Sequence, residues 1–197
     1  MGVPYLHDRN WANWSREERF FCAVLFEYIR RDPSAFAKWV NEHASLGLDM
    51  EGDWEVGYEV AFYRDYLWST EKSARESHYP AKRTFDLCLF GRQSIVIIEA
   101  KVFEHFKGDQ NKEFAKDKKR ITGLPGFQSI DVRTVALASS KYFENADKYA
   151  KPETLKVFDG VIKWSDLFEF YGDKLFSRAD LLYQMKNTEL LSGDPVY

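Results

Sequence analysis

Four β-branched residues in a row, Ile95-Val96-Ile97-Ile98, constrain this chain more than any other segment. Successive side chains on a strand point to opposite faces, so an unbroken apolar run needs cover on both sides. The run predicts a strand over Ser94 to Phe103 with helices packed on either face of its sheet. Thr84 to Phe90 reads as a second strand, joined to it by a tight Gly91-Arg92-Gln93 turn, and Glu55 to Tyr63 reads as a strand before them. The three can form a meander. Val132 to Ala138 and Val157 to Trp164 supply two further strands. Between them lie helical patterns. One runs from Ser15 to near Arg31, carrying Phe21, Val24, Leu25, Tyr28 and Ile29 at helical spacing. A shorter one starts at Asp32-Pro33 with Phe36 and Val40 on its apolar side, and a charged one runs from Asp109 to about Ile121, stopped by Gly123 and Pro125. Tyr142 to Ala150 is a short helix, and a helix capped by Ser165 follows the last strand, with the chain ending in helices. Leu46 to Asp53, with Gly47 and Gly52, reads as loop. Ser69 to Lys82 is polar and long for a connection, either a functional flap or disordered. The fold class is α/β, a mixed sheet between helices.

A chain of 197 residues fits one domain. Its core is expected over about 15–138, with 139–197 as peripheral strand and helices. Sixteen Phe, 11 Tyr and 6 Trp are enough for a sizeable core, and their periodicity places most of them there. A net charge of −3 means that any nucleic-acid binding must use a local basic surface. The longest apolar run, Phe20 to Phe26, is far short of the roughly 20 residues that cross a bilayer. The N-terminal residues lack the pattern of a secretory signal, and a cytoplasmic protein is expected. Cys22 and Cys88 lie in apolar segments and read as buried, reduced thiols. The four histidines show no zinc or triad spacing, and there is no Gly-rich phosphate loop.

The chemistry concentrates at the meander. Glu99 and Lys101 are two apart on a strand and project from one face. If the Gly91 turn closes a hairpin, Asp86 on the neighbouring strand can point the same way, whereas a one-residue slip would send it to the other face. Three charges on a sheet of Ile, Val and Leu are expensive to bury without compensation. A divalent cation held by both carboxylates would supply it, and oxygen-only ligands suit Mg²⁺ or Mn²⁺. An acid-x-Lys string arises by chance about once in a chain of this charge content. The chain holds one other instance, Asp117-Lys118-Lys119, on a helix read as charged and solvent-facing. Only Glu99-Ala100-Lys101 ends a buried strand with an acid one hairpin upstream.

Asp86, twelve intervening residues, then Glu99-x-Lys101 resembles the PD-(D/E)XK phosphodiesterase superfamily, which includes restriction endonucleases and Holliday-junction resolvases. Phe85 stands where the motif's Pro would be. The order of elements from Ser15 to Ala138 is similar too. The resemblance implies a restriction endonuclease-like three-layer α/β/α sandwich with a central mixed sheet. It also implies a Mg²⁺-dependent nuclease (Mn²⁺ substituting) that acts on nucleic acid, DNA more readily than RNA. Asp86, Glu99 and the Ala100 carbonyl would bind the metal. Lys101 would orient or activate the attacking water and offset charge growing on the transition state.

The family often draws one more acid from the first helix. Ser15-Arg16-Glu17-Glu18 offers two, and periodicity does not choose between them. Glu18 is the candidate metal ligand and Glu17 the alternative, although Ser15 and Glu18 also fit a capping box. Gln110 shares a helix face with Phe114, Asp117 and Ile121, which leans it toward the sheet, and the resemblance makes it a further catalytic candidate, because several related nucleases use a Gln on this helix to contact the metal-bound water or a phosphate. It could equally satisfy free N–H groups of the first turn. From Lys101 to Arg120 there are seven basic and four acidic residues, a local +3 beside the motif. A solvated helix face explains the same lysines. One such site per chain means that cutting both strands of a duplex takes a homodimer or two successive events. The rival reading is a catalytically silent module of this fold that binds nucleic acid or a protein partner.

Overall fold

The computed structural model describes residues 11, 15–71, 79–106, 108–145 and 155–183, with the side chains of 108–111 outside that description. Five strands lie side by side in chain order: β1 (Glu55–Val60), β2 (Phe85–Phe90), β3 (Ser94–Ala100), β4 (Asp131–Ala138) and β5 (Gly160–Lys163). The first three form the antiparallel meander, and β4 and β5 continue the sheet in parallel. Among the described residues the helices are α1 (Glu18–Ile29), α2 (Pro33–His43), α3 (Phe62–Ser69), α4 (Gly108–Thr122), α5 (Ser140–Glu144), α6 (Trp164–Tyr171) and α7 (Lys174–Leu182).

The apolar run occupies the middle of the sheet, and every residue of β3 is buried. Val96, Ile98 and Ala100 join a cluster with Phe21, Cys22 and Leu25 of α1, Phe36 and Val40 of α2, Leu167 of α6 and Phe176 of α7. Ile95 and Ile97 join a second cluster with Tyr63 of α3, Phe114 and Ile121 of α4 and Tyr142 of α5. The sheet thus separates two cores, as an α/β fold requires. Each such aliphatic or aromatic side chain stabilises by about 1.5–3 kcal/mol when fully buried, so covering both faces of one strand fixes its position firmly.

Local signals set several ends. Asp32 accepts the Ala35 N–H at 2.9 Å, with Pro33 as the first residue of α2. Gly172, at φ 73°, closes α6 in the left-handed conformation. Cys22 and Cys88 are buried and unbonded. No described helix is long and apolar enough to cross a membrane.

Several expectations need correction, and one is the strand read over Val157 to Trp164, which is confined to Gly160–Lys163. The strand read to Tyr63 stops at Val60, and Phe62–Ser69 is helical. Phe62 and Tyr63 are adjacent and enter the same core cluster, which an alternating strand cannot achieve. β3 ends at Ala100 rather than Phe103. The helix read as capped by Ser165 begins at Trp164, and its cap is the Asp166 carboxylate accepting the Lys163 N–H at 2.8 Å. Asp117 is fully buried rather than solvent-facing, because Phe114 and Ile121 on the same side turn that face of α4 inward. Its carboxylate accepts the Tyr63 hydroxyl at 2.7 Å and pairs with Arg83 and Arg120.

Of the segment 139–197, the described part places β5 at the sheet edge and Trp164, Leu167, Phe176, Ala179 and Leu182 in the first core cluster. Buried Asp180 fastens it, accepting the Ser140 N–H at 2.7 Å and the Ser140 hydroxyl at 2.6 Å. Of the Ser69 to Lys82 connection, residues 72–78 lie outside the described residues, as does part of the helix expected over Tyr142 to Ala150.

Candidate active site

The hairpin has the register that the motif needs. Leu87 pairs with Ile98, and one further pair puts Asp86 level with Glu99. The Gly91 N–H closes the turn on the Ser94 carbonyl at 2.8 Å, and Trp54 packs directly on Gly91, where a Cβ would meet ring carbons at 2.7 Å. On the other side of β2, Tyr58 lies opposite Leu87 and Val60 opposite Phe85, so Glu59 falls level with Asp86. Glu59 takes φ 51°, an uncommon conformation for a residue with a Cβ. Asp86 turns its carboxylate back onto β3, where Oδ2 accepts the Ala100 N–H at 2.8 Å.

Lys101 is the hub. Its Nζ donates to Glu18 Oε1 at 3.0 Å, Glu99 Oε1 at 3.3 Å and the Ala100 carbonyl at 2.6 Å. Glu99 and Lys101 are only 8% and 7% exposed, so these are charges held largely out of water. The backbone of Lys101 is fixed as well. Its N–H donates to the Leu137 carbonyl at 2.7 Å, and its carbonyl accepts the Trp164 Nε1–H at 2.9 Å. The start of α1 is anchored by Arg178 donating to the Ser15 carbonyl at 2.6 Å, and by the Tyr58 hydroxyl donating to the Arg19 carbonyl at 3.0 Å.

Burial pushes the Glu18 carboxyl up to about 7; the Lys101 ammonium partly opposes this and Asp86 reinforces it. Glu99 is raised by burial first and by Asp86 second. Burial pulls Lys101 down, but Glu99, Glu18 and Asp86 outweigh it and hold the ammonium protonated above its ordinary range. With all groups ionised, three carboxylates face one ammonium, a net −2 in a mostly dry place.

Glu18, Asp86, Glu99, Ala100 and Lys101 therefore come together from two strands and a helix. The alternative acid, Glu17, is the exposed residue before α1 and makes no capping bond. The capping box does not form: the Ser15 hydroxyl accepts the Glu17 N–H at 3.2 Å, and the Glu18 carboxylate is spent on Lys101. Gln110 lies in the first turn of α4, with its side chain outside the described residues. The basic face of that helix is largely neutralised, since Lys116 and Arg120 pair with Glu113, and Lys118 with Asp159. The sequence reading missed Trp164, Arg178 and Tyr58. Nothing local marks them, because each acts on a backbone carbonyl far along the chain.

Among the described residues, no group of three or more His, Cys, Asp and Glu side chains is drawn together as a metal-holding set. Instead, Glu18 Oε1, Glu99 Oε1 and the Ala100 carbonyl converge on a cation of the chain's own, the Lys101 ammonium. Their chemistry, oxygen donors alone, fits Mg²⁺ or Mn²⁺, provided Nζ moves aside. No protein-family model, no curated protein and no solved structure matches the chain.

Proposed function

We propose that the chain is a metal-dependent phosphodiesterase of the PD-(D/E)XK type, with a restriction endonuclease-like fold, that hydrolyses nucleic acid and most readily DNA. One observation carries the reading. Glu18, Glu99 and the Ala100 carbonyl meet at a single cation position, and Asp86 is tied to the backbone of the same residue, Ala100. The order of helix, meander, helix and parallel strand supports it. So does the charge ledger, because a net −2 is what one divalent ion neutralises.

Asp86, Glu99 and Glu18 would hold the ion with the Ala100 carbonyl. Bound there, it would polarise a phosphoryl oxygen and acidify a water molecule. The Ala100 N–H keeps the Asp86 carboxylate oriented. Lys101 has three N–H donors and a fixed backbone, so its ammonium can turn from the carboxylates toward a phosphoryl oxygen and offset the charge that grows there. Trp164 holds the Lys101 carbonyl in place and is a positioning residue.

The test incubates plasmid and single-stranded DNA with Mg²⁺, Mn²⁺ or Ca²⁺. Cleavage with Mg²⁺ or Mn²⁺ that disappears in Asp86→Asn, Glu99→Gln and Lys101→Met supports the enzyme. Cleavage unchanged in those variants refutes the site. DNA retarded but never cut points to the silent binding module.

A further inference from the structure

We infer that this site takes an unpaired nucleotide, whose base stacks on Phe103 in the cleft beside Glu18; the inference rests on the phosphodiesterase reading above. A cleft of about 420 Å³ opens there, lined by Arg16, Glu17, Glu18, Arg19, Phe103 and Glu104. Glu18 belongs to both places: its carboxylate accepts from Lys101 Nζ, and the residue lines the cleft. Whatever fills the cleft therefore lies within one side chain of the cation position.

Phe103 is unusual for its place. It sits two residues beyond Lys101, where the chain has left the sheet, and is 38% exposed while the neighbouring Val102 and Phe106 are buried. The Arg16 guanidinium lies over its ring, 5.3 Å from the centroid. With Arg16 over one face of the ring, the pair offers an aromatic and a guanidinium plane together, and unstacked bases stack on both kinds of surface.

Charge and size narrow the occupant. Two arginines and three glutamates line the cleft, a net −1, and Arg19 is already paired with Glu59 at 3.1 Å. Such a wall disfavours a phosphate and leaves the base as the part of a nucleotide that fits. The volume suits one small ligand, within the range of about 300–1,000 Å³ typical of such sites. A base can reach Phe103 only after leaving its duplex stack, which costs least in a single strand, a flap or a mismatch. The substrate class that follows is unpaired nucleic acid, in preference to intact duplex.

The test uses a short deoxyoligonucleotide carrying one 2-aminopurine, alone and annealed to its complement. Both are titrated in EDTA, so that binding is read without turnover. The expected result is fluorescence quenching and tighter binding with the single strand. Phe103→Ala should abolish the quenching and weaken single-strand binding roughly 5- to 150-fold, and Phe103→Trp should restore both. Equal binding of single strand and duplex, or Phe103→Ala binding like the parent, overturns the inference. Cleavage that depends on Asp86 and Glu99 but ignores Phe103→Ala overturns the inference alone. Quenching that depends on Phe103 without any metal-dependent cleavage supports the cleft and overturns the enzyme.

Discussion

Asp117 offers the sharpest test of the packing, because an exposed helix and a buried one give opposite answers. Its carboxylate is fully buried between Tyr63 of α3, Arg83 just before β2, and Arg120. Asp117→Ala leaves the Arg83 guanidinium without its carboxylate, although its Nη2 is already buried without a hydrogen-bond partner among the described residues. Removing one member of a buried pair costs about 3–5 kcal/mol. The stranded Tyr63 hydroxyl costs about 1–3 kcal/mol, and the two losses overlap because they share one carboxylate. A net loss of about 4 kcal/mol is a large part of the roughly 5–15 kcal/mol that holds a domain together. It should lower Tm by about 8–16 °C in a chain of this size. Urea titration and thermal melting read the effect. The combination Asp117→Leu with Arg83→Met should recover the ion-pair part of that loss, since it removes both charges and keeps volume, and leave the cost of the stranded Tyr63 hydroxyl. A cost below about 1 kcal/mol for Asp117→Ala, as for an exposed ion pair, would refute the reasoning. Arg83 stands three residues before Asp86, so the same latch steadies the strand that carries the site.

Two further outcomes follow from the site. The Glu18 carboxyl is raised from 4.5 to about 7, so the folded chain binds more protons than the unfolded chain across that interval. This contribution is full below pH 4.5 and is lost as the pH rises through 7, by about 3 kcal/mol. Glu18→Gln should flatten that decline when unfolding in urea is compared at pH 5 and pH 8, and an equal decline in both proteins would count against it. Trp164→Phe removes the N–H that the Lys101 carbonyl accepts. It should cost about 1–3 kcal/mol and slow cleavage at temperatures where both proteins remain folded. A variant as stable and as active as the parent would remove Trp164 from the site.

The α/β class and the hairpin were legible because they rest on short-range rules. Ile95 to Ile98 must be covered on both faces, Gly91 must turn, and two-residue spacing must align Glu99 with Lys101. Strand ends were less legible. Phe62 and Tyr63 look like strand by composition, but the second core needs both on one side, and a helix delivers that. The buried face of α4 was half legible: Phe114 and Ile121 set its direction, yet the acid between them reads as surface until Tyr63 and Arg83 arrive from elsewhere. The choice of Glu18 over Glu17 was not legible, because both precede apolar positions and only the placement of Lys101 separates them.

By itself the sequence determined the elements whose causes lie within a few residues: a strand buried on both faces, a helix capped by Asp32, and an acid-x-Lys pair on one face. The tertiary structure decided which distant groups those elements meet. It placed Trp164 on the Lys101 carbonyl, Glu18 on the Lys101 ammonium and Asp86 on the Ala100 N–H. Hydrogen bonds and ion pairs have ranges of a few ångströms and no memory of sequence separation. Partners 63 or 83 positions apart are therefore chosen by packing, after the local rules have been spent.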